Sequence, residues 1–330
     1  MKKVLVILLV AMLAASSAFA SGSSESGAAG LPKSVEVYVP AKAGGGTDVM
    51  ARALANQMAA DSGSAFTVIN NTDGNGVVSM ETIRTAKGDG TKILQYHTSM
   101  EIKTATGVYK YSAAEDFKVI AASLMLDKAA YVLVVASDAP YQTVDEVVAY
   151  AKANPGKLLC GVETGGNTHI MSGMFSQAAG IEIKYVEAGT DTEKLTSIVG
   201  GNIDIAFVNM NQAKQYIEAG KVTALAVCAR DPEGGRGVAL PDVPCFQEFG
   251  INFNYAVVNL FLGPATMSDE LADLYHDAYV KAYENPAVKD FLEPAGFGMV
   301  FLSREESIER IKADQQAISE VVEALGLKQK

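Results

Sequence analysis

An α/β fold is predicted for this 330-residue chain, and three observations predict it. Short apolar runs at strand period alternate with helical patterns along nearly the whole length. A strand–glycine loop–helix unit occurs twice, once at Val35–Arg52 and again at Leu158–Ala179. Helix start and stop signals fall between the strands, where the crossover helices of a mostly parallel sheet belong. In such folds a ligand sits outside the carboxyl ends of the strands, and both glycine loops fall at that end.

The elements follow in order. Val35, Val37 and Val39 alternate with Glu36 and Tyr38, a strand that Pro40 ends. Gly44, Gly45 and Gly46 leave the backbone bare; Thr47 can cap a helix, and Asp48 suits the first turn. A bare loop at a helix N-terminus offers unpaired N–H groups to an anion. The loop lacks the G-x-G-x-x-G spacing of a dinucleotide site and the Gly-Lys-Ser/Thr of a phosphate loop. Phe66–Asn70 reads as a strand, Asn71–Gly76 as a turn accepting positive φ, and Val77–Ala86 as a helix. After a turn at Gly88–Gly90, Lys92–Tyr96 is a strand that delivers His97, Thr98 and Ser99 at its end.

Ala129–Val135 is a continuous apolar run, hence a buried strand. Thr143 and Glu146 form a capping box, and Asn154-Pro155-Gly156 stops that helix. Leu158–Val162 leads into Glu163–Thr168 and a helix from His169 to Ala179. Strands are expected at Ile183–Val186, Ile203–Val208 and Val222–Ala229, with helical stretches at Lys194–Val199 and Gln212–Glu218. Asp231–Gly237 reads as a glycine-rich surface insertion. Tyr255–Leu262 is a strand broken by Gly263-Pro264. Helices follow at Asp269–Tyr283, at Pro286–Leu292, and from the Ser303/Glu306 capping box to Leu325.

Composition narrows the classes. Hydrophobic residues make up 49% of the chain and the formal net charge is -11, which steers it away from nucleic acid and anionic lipid. An anionic ligand would therefore be attracted by local dipoles against the overall field. Lys2 and Lys3, an apolar run over Val4–Leu13 and Ala18-Phe19-Ala20 read as a secretory signal cut after Ala20, placing the product in the periplasm. No cysteine lies near that cut to carry a lipid anchor. Residues 21–30 read as a flexible tether. Cys160, Cys228 and Cys245 are either small buried residues or one disulfide with one left over. His97, His169 and His276 show no ligand spacing, so no metal is expected.

Val39–Asp48 with Arg52 resembles the opening of the receptors of tripartite tricarboxylate transporters, the Bug family of periplasmic solute-binding proteins. Gly74-Asn75-Gly76, Gly88–Thr91, Gly165–His169, Gly200–Asp204, and Ala239–Pro244 with Glu248–Gly250 resemble further segments of that family, in order. The resemblance implies a periplasmic binding protein-like Venus flytrap, two α/β domains with a ligand cleft between them. Domain 1 would be residues 31–133 plus 253–330, and domain 2 residues 134–252. It implies a monomer that captures a small organic carboxylate, without cofactor, and hands it to one large and one small integral membrane subunit. Ala43, Gly44, Gly45, Thr47 and Asp48 would line one side, and Gly166, Asn167 and Thr168 the other. Thr98 and Ser99 would face the cleft, and Asp204 and Asn209 would read the far end of the ligand. Tyr185–Gly189 departs from the family's Tyr-Lys-Gly, with the positive residue missing and the acidic Glu187 present, so that a monocarboxylate, an amino acid or a neutral-ended ligand fits at least as well as a tricarboxylate.

Two other functions compete. One is an exported binder of a non-carboxylate molecule. The other is a periplasmic hydrolase built on Thr168, His169 and Asp204. Neighbouring residues on a helix point about 100° apart, and no Gly-x-Ser-x-Gly elbow exists, so the chain is not expected to be an enzyme.

Overall fold

The structure, a computed structural model, describes residues 30–125, 131–228, 234–237 and 240–329. The expected leader, nearly all of the tether and part of the 231–237 insertion lie outside the described residues.

The first half-sheet grows from alternation. β1 (Ser34–Val39) buries its three valines, and α1 (Gly46–Ser62) returns over it with Leu54 and Met58. β2 (Ala65–Asn70), α2 (Val77–Arg84), β3 (Lys92–His97) and α3 (Ser99–Thr106) follow, then β4 (Phe117–Met125). The second sheet starts with β5 (Tyr131–Ala136), then α4 (Val144–Ala153), whose capping box forms as the sequence predicts. Next come β6 (Leu159–Val162), α5 (Asn167–Ala179), β7 (Lys184–Glu187), α6 (Asp191–Val199), β8 (Ile205–Asn209), α7 (Met210–Glu218) and β9 (Val222–Cys228). The chain closes with β10 (Val258–Pro264), α8 (Asp269–Glu284), α9 (Pro286–Leu292), β11 (Met299–Phe301) and α10 (Arg304–Ala324).

Two sheets result. One has the order β11-β4-β10-β3-β1-β2 and the other β7-β6-β8-β5-β9. The expectation of mostly parallel sheets needs correction. β1 pairs parallel with β2 and β3, and β6 with β7 and β8. β10 runs antiparallel to β3 and β4, β11 to β4, and β5 to β8 and β9. An apolar run reveals burial but not direction, so reversed strands buried among parallel ones read the same. The break expected at Gly263-Pro264 is also absent. Both residues pair with β4, and Pro264 is the last residue of its strand, where a missing N–H is tolerated.

Each sheet has apolar layers on both faces. In the second, Phe175, Phe207, Phe246 and Phe253 pack in tilted and edge-to-face pairs with centroid separations of 5.0–5.9 Å. A smaller cluster joins elements of the two sheets. Ile102 and Ala105 of α3, Ile170 of α5, and Ile318, Val321 and Val322 of α10 bury together. This seam fixes α5 of the second sheet against two helices of the first. Cys160, Cys228 and Cys245 are buried and form no disulfide among the described residues. Among the described residues no helix is long and apolar enough to cross a membrane, and no group of His, Cys, Asp or Glu could hold a metal.

Candidate functional site

The first glycine loop leaves β1 at Pro40 and turns through Gly44, whose φ of +80° is left-handed and suits glycine. The helix cap is Gly45, without a side-chain bond, rather than Thr47. Asp48 ties the loop down instead. Its carboxylate accepts the Gly44 N–H at 2.8 Å and pairs with Arg52 at 2.9 Å. Arg52 also donates to Asn70 Oδ1 at 2.7 Å, and Asn70 Nδ2 donates to the Ala41 carbonyl at 3.1 Å. Burial pushes the Asp48 carboxyl up, but the hydrogen bonds from Arg52, Gly44 and Asn70 outweigh it and hold it below its usual value. The Gly45 N–H bonds the Lys42 carbonyl at 3.1 Å. Gly46 and Thr47, the first two helical residues, have no acceptor for their amides within the helix.

The second loop satisfies itself in the same manner. Glu163 N–H donates to Thr168 Oγ1 at 3.0 Å and Thr164 N–H to Glu187 Oε2 at 2.8 Å. Gly165 N–H donates to His169 Nδ1 at 3.1 Å, and Gly166 N–H to the Glu163 carbonyl at 2.9 Å. An accepting Nδ1 leaves His169 neutral with its proton on Nε2. Burial lowers the His169 pKa, with Glu187 opposing. Glu187, whose carboxyl is held low first by its hydrogen bonds from Thr164, thus braces the loop. Asn167 and Thr168 open α5, so their amides too have no intrahelical acceptor. The Asn167 side chain accepts a hydrogen bond from the buried Tyr255 hydroxyl at 2.9 Å.

A small cavity of about 170 Å³ joins the two sheets here. Asn75, Ser99 and Lys103 line it from one side, and Glu163 to Asn167 from the other. Asn75 has a φ of 58°, the one positive value at a non-glycine residue among those described. Strain of this kind persists where the surroundings over-determine it, and it gathers at ligand clamps. The next residue, Gly76, lies against Pro40; an added Cβ would stand 2.8 Å from the proline ring. The Asn75 turn is thereby locked to the base of the first glycine loop. Tyr96 lies beside the cavity, its hydroxyl pushed up to about 12 by burial, with Glu163 adding. His97 is lowered to about 4 by burial, with Lys103 adding, so it stays neutral. A larger cavity of about 320 Å³ lies behind, lined by Thr98, Met174, Tyr255, Arg310 and Asp314 among others.

The expected site residues are placed as follows. Ser99, Gly166 and Asn167 meet on the wall of the smaller cavity. Thr98 is buried, and its hydroxyl accepts the Val258 N–H at 2.9 Å. Thr168 is buried as the brace of its own loop. Ala43, Gly44, Gly45, Thr47 and Asp48 form the first loop, off that cavity wall. Asn209 ends β8, and its amide donates to Asp191 Oδ2 at 3.0 Å. Asp204 precedes β8 at the opposite end, about 17 Å away along a strand of that length. There it accepts the Leu159 N–H at 2.7 Å. It is not brought to the cavity. Asn75, Lys103 and Glu163 line the cavity without having been expected there. The left-handed potential of Gly74-Asn75-Gly76 was the available signal for the first. Lys103 sits on α3, a helix the sequence pattern left unassigned.

The family model described as tripartite tricarboxylate transporter family receptor (TctC) matches residues 50–327. The chain belongs to that family. It is similar to a UPF0065 protein of Bordetella pertussis, 26% identical over 89% of this chain and 90% of that one. Its fold is similar to a TctC solute binding protein from Polaromonas, with a TM-score of 0.77 and 23% identity over 88% and 98% of the two chains. It is also similar to an R. palustris protein solved with adipate, with a TM-score of 0.67 and 22% identity over 89% and 97%. The fold is thus the two-domain α/β architecture of the periplasmic binding proteins. The family is one of solute-binding receptors, not of enzymes.

Proposed function

We propose that this receptor captures a small organic carboxylate in the cleft between its two sheets and delivers it to integral membrane subunits of a tripartite transporter. The observation that carries the proposal is the helix N-terminus that follows a glycine loop in each half, α1 beside the first sheet and α5 beside the second. The Gly44 and Gly45 amides and those of residues 163 to 166 bond within their own loops, while Gly46 and Thr47 on α1, and Asn167 and Thr168 on α5, have no intrahelical acceptor and can meet an anion. Such termini favour a carboxylate through aligned N–H groups and the helix dipole. Adipate, the ligand of the R. palustris neighbour, is a molecule of this class.

Two lobes would close on the ligand. The expected crossing at 133/134 falls inside β5, all of which pairs in the second sheet. In this proposal the first crossing therefore lies between Met125 and Tyr131, and the second between Cys228 and Val258. Export with cleavage after Ala20 and a periplasmic, monomeric receptor complete the reading, supported by the charged and apolar pattern of residues 1–20.

Isothermal titration of the chain from Leu31 against mono-, di- and tricarboxylates tests this. One-to-one binding of at least one acid is expected, with loss of at least tenfold in affinity for Gly166→Val. That Cβ would stand 2.8 Å from the Glu163 side chain and displace it into the cavity. Binding confined to neutral compounds would contradict the proposal.

A further inference from the structure

A Ser or Thr followed three residues later by Glu opens α4, α6 and α10, and in each the capping box closes. Thr143 with Glu146, Thr190 with Glu193, and Ser303 with Glu306 exchange both hydrogen bonds. Those three glutamates are exposed. Hydrogen bonds, first from Gln142, Thr190 and Ser303 respectively, hold their carboxyls below the usual value.

Thr98 and Glu101 at the start of α3 carry the same pattern, and there the box stays open. β10 occupies the threonine instead. Thr98 N–H donates to the Val258 carbonyl at 3.0 Å, and Thr98 Oγ1 accepts the Val258 N–H at 2.9 Å. Glu101 is 0% exposed, and neither carboxylate oxygen has a hydrogen-bond partner among the described residues. Such a group is costly to hold as an anion. Burial, then the Asp314 carboxylate, push it well above the usual carboxyl range, with Arg310 opposing.

Its place is the seam between the two sheets. The next residue, Ile102, buries with Ile170 of α5 and Ile318 of α10. α3 packs on α10, α5 and β3. From α10 come Arg310 and Asp314, bonded to each other at 2.8 Å on the wall of the 320 Å³ cavity. The one titratable residue of α5, His169, is neutral and engaged by Gly165. On β3, Tyr96 and His97 are neutral, and Lys92 pairs with Glu36 at the far end. On α3 itself Lys103 faces the smaller cavity. The Tyr255 hydroxyl feels the charge of Glu101 from the segment before β10. Glu101 does not line the larger cavity, so hydrating its charge requires the helices around it to loosen.

We propose that Glu101 is a proton-linked latch on this seam: neutral, it lets α3, α5 and α10 stay packed, and on losing its proton it loosens them. The packed seam holds the proton to higher pH than the loosened one, where water reaches the carboxyl. Packing is therefore fullest below the ordinary glutamate value and weakens as pH rises from there through the packed-state value. Each unit between those two values is about a factor of ten in the packed-to-loosened ratio. The latch is independent of which ligand the protein carries.

Hydrogen exchange of the full chain at pH 5 and pH 8 tests it, read as protection factors so that the intrinsic rate divides out. The amides of Ile170, Ile318, Val321 and Val322 are expected to lose about tenfold or more of their protection at pH 8. Those of β1 and β8, inside their sheets, should keep theirs. Glu101→Gln, neutral at both pH values, should abolish the loss. Asp314→Asn removes the neighbouring like charge and should move the midpoint of the loss to lower pH. Circular dichroism melts establish that each variant is folded, and the Asp314 variant decides the matter if the Glu101 variant is not. Seam protection equal at the two pH values, or a loss that survives Glu101→Gln, overturns the latch. So does a midpoint that Asp314→Asn leaves unmoved, or a loss shared equally by β1 and β8.

Discussion

Asp48 shows how a residue chosen for ligand contact can instead shape the contact. It is buried, it holds Gly44 in its left-handed turn, and it is paired with Arg52. Hydrogen bonds to a charged group contribute about 1.5–3 kcal/mol each, so Asp48→Asn should destabilise the fold by about that amount at pH 7. The folded carboxyl binds its proton more weakly than the unfolded one. Its contribution is therefore full above the unfolded carboxyl's value and is lost as pH falls through the lower folded value. Chemical denaturation at pH 7 and at pH 3 should show the wild-type advantage shrinking at the lower pH. A constant difference would mean the carboxylate is not what stabilises the loop. Tyr255 makes a similar point from the other side of the cleft. Tyr255→Phe leaves Asn167 Oδ1 without its donor and should cost about 0.5–1.5 kcal/mol in denaturant titrations.

The loops themselves were legible because glycine clusters between a strand and a helix have few other uses. Which amides they leave open was not. That depends on side chains returning from Asp48, Thr168, Glu187 and His169, and spacing does not show their directions. Asp204 illustrates the converse. A carboxylate in an apolar strand needs partners, and it found them in Leu159 and Tyr141 at the wrong end of the strand.

At the scale of elements, capping boxes and apolar periods gave α4, α8, α9 and α10 nearly to the residue. α3 and β4 were not seen. β4 is buried along almost its whole length, between β10 and β11, and lacks alternation. α3 is short and mixes Glu101, Lys103, Thr104 and Thr106 among its apolar residues, so it shows little apolar stripe. That omission hid Lys103 and also the seam of α3, α5 and α10. Gly173 marks how tightly this seam is packed. A Cβ there would lie 2.6 Å from Val321 and 2.9 Å from Leu325. Gly173→Val should cost about 1–3 kcal/mol through overpacking, read as a lowered unfolding midpoint. A neutral result would mean that α5 and α10 part easily and do not form a fixed edge.

For the whole molecule, the seam and the cavity suggest a division of labour. The apolar cluster holds α5 to the first sheet at one end, while the polar cavity separates the glycine loop at the start of α5 from that sheet. A ligand need only shift a balance between open and closed arrangements, in proportion to its extra contacts in the closed one. The net charge of -11 works against an acid's approach, so on the proposed reading capture would rest on the four helix N-terminal amides rather than on long-range steering.

The central claim is that a carboxylate sits between two helix N-termini. Amide NMR during titration with a bound acid tests it most directly. Gly46, Thr47, Asn167 and Thr168 should move together, saturating at one ligand per chain, while amides along the outer faces of α8 and α10 stay still. Saturable binding that leaves those four amides unmoved would contradict the account.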